Sequence, residues 1–199
     1  MAKVHPQLVA SCTSSKQEVF TLWMKSLIMS SNGCAVFDSN GRIVFRVDNY
    51  SHRCTTQICI MDVTGQVLFT IVKKKFSLFA TWEGYRSTTS SKSSKVFKVR
   101  KLMGITRILG CFRGYSICKA LIKLDEDFLC EYKMENQSSK QSCRIVDAFG
   151  GLVAEVKRKI TTSGVVLGED VLTMVVEPHI DHSLIMGLVV VFGLMHHKL

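Results

Sequence analysis

Apolar and polar residues alternate with a period of two through much of the chain. Phe128, Cys130, Tyr132 and Met134 interleave with Leu129, Glu131, Lys133 and Glu135. Val96, Lys98 and Arg100 interleave with Lys95, Phe97, Val99 and Lys101, and Leu152, Ala154 and Val156 with Val153, Glu155 and Lys157. Side chains on an extended strand point to opposite faces in turn, so this pattern predicts strands with one buried and one wet face. Apolar runs near 19–27, 57–62, 67–73, 78–85, 115–124, 143–147, 164–168 and 171–177 add further strands. The total is about a dozen, with turn signals every eight to twelve residues, the spacing of a sandwich or barrel.

Three segments share one outline: Cys34–Asp48, Cys59–Val72 and Cys143–Val156. Each holds two apolar runs around an Asp that precedes a Gly by three positions: Asp38 and Gly41, Asp62 and Gly65, Asp147 and Gly150. An Asp carboxylate accepts hydrogen bonds from the backbone N–H groups just ahead of it, and Gly tolerates positive φ where the chain re-enters a strand. The spacing predicts a type I turn closed by a left-handed Gly, joining two antiparallel strands. A calcium-loop reading from Asp38 is weak beside the plain turn, because its twelfth position is Asn49 rather than a bidentate Glu. The Ser/Thr-rich stretch 87–94 reads as a mobile polar loop.

The period changes at the end. Pro178 stops the last strand, Asp181 or Ser183 caps the final segment, and every residue from Leu184 to Met195 is apolar or Gly. As a helix this run is about 18 Å long, against a hydrocarbon slab of about 30 Å. A short helix without a polar face has to be enclosed by protein. Burying its large side chains, at about 2 kcal/mol each, contributes on the order of 20 kcal/mol before entropy. The expected fold is therefore mainly β: a closed antiparallel barrel of about twelve strands around a hydrophobic C-terminal α-helix over about 181–196. Residues 1–17 are expected to form a flexible N-terminal tail, and 18–199 a single barrel domain.

Charge changes the picture. The 199-residue chain carries 26 basic and 16 acidic residues, a formal charge of +10. Between Gly84 and Leu124 there is no acid, while Arg86, Lys92, Lys95, Lys98, Arg100, Lys101, Arg107, Arg113, Lys119 and Lys123 are all basic. The remaining 16 basic residues balance the 16 acids, so this segment holds the whole excess. Such a field favours anionic partners. The eight cysteines include no C-x-x-C pair, and the N-terminus lacks a continuous apolar leader. They read as reduced thiols in a cytoplasmic protein, with peripheral plasma-membrane or nuclear residence as alternatives.

Several stretches, in order, resemble the plant LURP-one-related family, which shares the Tubby C-terminal-like fold. They are Leu22-Trp-Met-Lys-Ser-Leu27, Gly33-Cys-Ala-Val-Phe-Asp38, Arg46-Val-Asp-Asn-Tyr50, Val153-Ala-Glu-Val-Lys-Arg-Lys159, and Asp170 through Pro178 into the apolar tail. The resemblance implies a twelve-stranded barrel threaded by a C-terminal helix. It also implies kinship with phosphoinositide-binding tubby-like proteins and with phospholipid scramblases, and an association with plant defence. No lipid-binding residue of the tubby-like proteins is carried over onto a position of this sequence.

Enzymatic chemistry is represented only by fragments. There is no G-x-S-x-G, no phosphate loop and no H-E-x-x-H. Asp125-Glu-Asp127 reads as a solvated turn, and His179-Ile-Asp-His182 offers too few donors for a structural metal, so no metal and no cofactor is expected. The expected function is a non-enzymatic binding module on anionic surfaces. The candidate headgroup ligands are Lys73, Lys74, Lys75, Lys98, Arg100, Lys101, Arg107 and Arg113. An acidic lipid ranks above nucleic acid, because no aromatics interleave with these cations on one face. A protein partner, a nuclear DNA-associated role and a scramblase-like activity are the other readings, and the chain is expected to be a monomer.

Overall fold

The computed structural model describes residues 12–24, 33–52, 55–74, 80–87, 94–108, 111–123, 129–137, 142–161, 163–168 and 170–196, with side chains undescribed at 51–52, 55–56, 102–108, 111–116, 137 and 196. Twelve strands precede one helix: β1 (Glu18–Trp23), β2 (Cys34–Phe37), β3 (Ile43–His52), β4 (Thr55–Met61), β5 (Val67–Lys74), β6 (Thr81–Arg86), β7 (Ser94–Ile108), β8 (Cys111–Lys123), β9 (Leu129–Gln137), β10 (Ser142–Asp147), β11 (Leu152–Arg158), β12 (Val171–Val176) and α1 (His182–His196). Consecutive strands pair antiparallel, and β1 pairs with β12 to close the barrel.

The three repeated hairpins form as their residues dictate. Asp38 Oδ1 accepts from the N–H groups of Asn40 and Arg42, both at 2.8 Å, and Gly41 takes φ +76°. Asp62 and Asp147 repeat the arrangement, with Gly65 and Gly150 at positive φ. Each turn adds one residue to a strand, so the register slips once beside it. A fourth such turn lies at Thr161–Gly164, where the Thr161 hydroxyl replaces the Asp carboxylate and accepts from Val165 N–H at 3.0 Å. The run 164–168 is accordingly not the strand its apolar residues suggest. It is the return arm of a short hairpin, held to Ile160 by one isolated bridge at Val166.

The helix fills the barrel. Leu184, Ile185, Met186, Leu188, Val189, Val190, Val191, Phe192 and Met195 are all buried, within one core with the inward faces of the strands. No described helix is long and apolar enough to cross a membrane. Close packing shows at Phe97, whose ring lies between two glycines. A Cβ on Gly84 would come within 2.2 Å of it, and one on Gly187 within 3.2 Å.

Antiparallel pairing sends alternate strand ends to opposite rims. At the upper rim the helix enters beside the three Asp–Gly turns. Asp181 caps it, accepting through Oδ1 from Ser183 N–H at 2.9 Å and Leu184 N–H at 3.1 Å. The other carboxylate oxygen receives Arg86 at 2.7 Å, forming an ion pair buried inside the barrel. At the lower rim, Lys101 Nζ donates to the Met195 carbonyl at 3.1 Å, near the helix C-terminus. Beyond that rim β7 and β8 continue as a two-stranded ribbon. Pairing with β6 ends at Arg100 and pairing with β9 at Ile117, while β7 and β8 stay joined out to Ile108 and Cys111.

Of the N-terminal tail, residues 1–11 lie outside the described part. The Ser14 carbonyl accepts from His179 N–H at 2.7 Å, and Gln17 donates to Glu177 at 2.9 Å. The loop 88–93, Lys75 and the Asp125–Asp127 cluster also fall outside the described residues.

Candidate anion-binding face

The excess charge divides once the strands are in register. Arg86 and Lys101 alternate to the inner side and are consumed at the two ends of α1, so neither projects toward a partner. Lys101 is therefore removed from the expected headgroup ligands. Lys73 also leans over the rim, with its ammonium 5.9 Å from the centre of the Trp82 ring. Membership of the basic segment does not by itself place a cation on the outer surface.

On the outer face Glu83 organises the first cluster. It lies opposite Lys98 in register, receives Lys74 at 3.2 Å and Lys95 at 3.5 Å, and accepts from the Tyr85 hydroxyl at 2.7 Å. Burial opposes ionisation of Glu83, but the tyrosine hydrogen bond and the two ammonium groups outweigh it and hold the carboxyl below its ordinary range. Lys74 and Lys95 share this one carboxylate, which offsets half of their charge.

The next row across the sheet is different. Pairing sets Arg100 opposite Lys119, and Lys119 opposite Lys133, on three adjacent strands. Directly opposed side chains on neighbouring strands stand about 5 Å apart at Cβ, where like charges repel. Lys119 is relieved by Glu131 at 2.9 Å. Lys98, Arg100 and Lys133 have no ion pair among the described residues. Two cations expected from sequence, Lys98 and Arg100, thus remain without an ion pair among the described residues; beside them stand Lys119, which belongs to the basic segment but not to the expected ligands, and Lys133, which lies outside that segment. The signal for Lys133 was present in the alternation of β9, but only the β8–β9 register places it beside Lys119. Arg107 pairs with Phe112 and Arg113 with Thr106 in the distal ribbon, and their side chains lie outside the described residues.

Two concavities lie on the barrel, one at its lower mouth and one outside β1 that reaches the Asp38 turn. A cavity of about 150 Å³ at the mouth of the barrel is lined by Met24, Cys34, Val47, Asn49, Ile58, Val190 and Leu194. A shallower groove outside β1 is lined by Val19, Trp23, Phe37, Leu167 and Val171, with Lys159 bridging to the Thr21 hydroxyl at 2.6 Å.

The remaining candidate groups are absorbed by packing. His179 adopts φ +63° in the turn before α1, and His182 is buried with its ring 5.1 Å from that of Phe20. The described cysteines, Cys12, Cys34, Cys59, Cys118, Cys130 and Cys143, are free thiols. Burial pushes Cys34 up to about 12 and Cys118 up to about 11, so neither supplies a reactive thiolate at neutral pH.

Comparison with known proteins agrees with this architecture. Residues 18–193 match the family model described as LURP-one-related. Protein LURP-one-related 11 of Arabidopsis thaliana is 43% identical over 98% of this chain and 89% of its own length. Protein LURP-one-related 3 of the same plant is 39% identical over 100% of this chain and 94% of its own. An X-ray structure of an Arabidopsis thaliana protein superposes with a TM-score of 0.61, covering 94% of this chain and 95% of that one at 14% identity, which is a likeness of fold. With a matching family model over nearly all of the barrel and close relatives along its whole length, the chain belongs to the LURP-one-related family.

Proposed function

We propose that this protein is a non-enzymatic binding module that docks reversibly on anionic, phosphoinositide-bearing membrane surfaces, in plant signalling or defence. One observation carries the reading: the Arg100–Lys119–Lys133 row, with Lys98 beside it, opposes like charges across three strands. Such a row costs stability in the free protein and is relieved by a bound anion. Each of the three cations without an ion pair among the described residues, Lys98, Arg100 and Lys133, contributes about 1 kcal/mol near an anionic leaflet, falling off within a Debye length of about 8 Å. The sum, about 3 kcal/mol, corresponds to a dissociation constant on the order of 10 mM. The contact is weak and reversible, and a multiply charged headgroup sharpens it by engaging several cations at once.

Flotation of the full chain with phosphatidylcholine vesicles, with and without a phosphoinositide, tests the proposal. Binding only to the phosphoinositide vesicles, weakened by salt and by charge reversal at Lys98 and Arg100, is expected. Equal and negligible flotation with both vesicle types sinks it. Salt-steep binding to duplex DNA with none to lipid would instead move the row to a nucleic-acid role.

A further inference from the structure

We propose that the groove outside β1 holds a small aromatic monocarboxylate, with its carboxylate on Lys159 and Thr21 and its ring against Trp23 and Phe37. The inference is independent of the docking reading and concerns a different face of the barrel. Val19, Thr21 and Trp23 on β1 and Val171, Thr173 and Val175 on β12 alternate with buried residues and so point outward. Ala35 and Phe37 continue this face on β2, opposite Trp23 and Thr21. Three adjacent strands therefore present no charged side chain on their outer faces, whereas β7, β8 and β9 present Lys98, Arg100, Lys119, Glu131 and Lys133. A contiguous apolar surface on the outer wall of a domain marks a contact site.

The groove encloses about 630 Å³, within the size range of small-molecule sites. Trp23 and Phe37 line it with ring centres 6.5 Å apart and planes inclined by 44°, so a third flat ring packs on them by edge-to-face or offset contact. Lys159 follows β11 directly, and its backbone N–H donates to the Val171 carbonyl at 2.9 Å. Its side chain crosses β12, and Nζ donates to Thr21 Oγ1 at 2.6 Å. An ammonium has three donors, and a hydroxyl donates as well as accepts. Two N–H groups of Lys159 and the Thr21 O–H are thus left to receive one carboxylate.

Charge selects a single anion and orients it. At the borders of the face, Lys157 is paired with Glu155 at 2.7 Å, Arg46 with Asp48 at 3.0 Å, and Asp170 Oδ1 lies against Gly168. Lys159 has no ion pair among the described residues and approaches the groove from the β12 side. Asp38 borders it from the β2 side, where N–H groups of Arg42 and Asn40 donate to its carboxylate. A carboxylate on the ligand is drawn to Lys159 and pushed from Asp38, so the anionic end lies toward β12 and the ring over Trp23 and Phe37. One unpaired ammonium matches one negative charge, whereas a phosphate dianion would meet Asp38 with its second charge uncompensated.

The test titrates the full chain calorimetrically with naphthoate, and with naphthylmethanol and naphthylmethylammonium as its neutral and cationic counterparts. Naphthoate should bind about tenfold more tightly than the alcohol, the discrimination a hydrogen-bonded charge contributes at a half-exposed site. It should also change the emission of Trp23 against the background of Trp82, the only other tryptophan. Lys159→Gln keeps a donor for Thr21 without the charge, and should abolish the preference for naphthoate over the alcohol. Asp38→Asn keeps an acceptor for the turn and should tighten naphthoate about two- to fivefold. Loss of folding cannot produce opposite responses in the two variants. No binding of naphthoate at millimolar concentration, equal binding of the alcohol, tighter binding of the amine, or unchanged naphthoate affinity in Lys159→Gln overturns the assignment. Binding that leaves Trp23 emission unchanged, or that is lost in Lys98→Glu, places the anion elsewhere and overturns it too.

Discussion

The Arg100–Lys119–Lys133 row offers a perturbation that moves stability and binding in opposite directions. In Lys133→Glu a carboxylate replaces the ammonium opposite Lys119. Opposed like charges destabilise a strand pair and opposed unlike charges stabilise it, each by a few tenths of a kcal/mol on a half-exposed surface, so the swing is about 0.5–1 kcal/mol. Glu131, on the same face two residues away and already bonded to Lys119, trims the gain toward the lower figure. For a domain of this size that raises the melting temperature by about 1–4 °C. Binding moves the other way. Removing a cation and adding an anion costs about 2 kcal/mol at the leaflet, which is about 30-fold in partitioning. Thermal unfolding monitored by circular dichroism, and flotation on phosphoinositide vesicles, measure the two sides, and high salt should shrink both. A variant that is not stabilised refutes the like-charge argument. One that binds as well as the wild type refutes the site.

The interior supplies three further tests. Arg86→Ala leaves Asp181 buried without its cation and should cost about 3–5 kcal/mol in urea unfolding; a loss below about 1 kcal/mol would show that the pair is not what anchors the helix entry. Gly84→Ala drives a methyl into the Phe97 ring and should cost about 1–3 kcal/mol, with Phe97→Leu in the same chain recovering part of it, a coupling that a double-mutant cycle measures. Burial lowers the pKa of His182 from its ordinary 6.5, against the opposing pull of Glu18 and Asp181. The unfolded chain therefore takes up this proton first as pH falls. The contribution of His182 is intact above about pH 6.5 and is lost progressively below it, down to the folded pKa, so His182→Leu should flatten the stability profile between about pH 7 and pH 5.

The hairpins, the strand count and the central helix were legible because each is decided by residues close together in the chain. An Asp reaches backbone N–H groups only two and four positions ahead, as Asp38 does to Asn40 and Arg42. A run such as Leu184–Met195, apolar on every side, has no stable place in water whatever surrounds it. The fourth turn escaped because Thr161 does with a hydroxyl what the other three do with a carboxylate, and so 164–168 read as one more strand.

Local pattern thus determined the barrel and its plug, since period, turn chemistry and an all-apolar helix act within a few residues of themselves. The fate of the charges was decided elsewhere. Arg86 and Arg100 look alike in a basic segment, yet one neutralises Asp181 inside the barrel and the other stands on the outer face opposite Lys119. Lys133 lies outside that segment altogether and joins Lys119 only through β8–β9 pairing. Electrostatic energy depends on distance in space and on burial, and both are set by strand register and closure of the sheet, which bring together residues far apart along the chain.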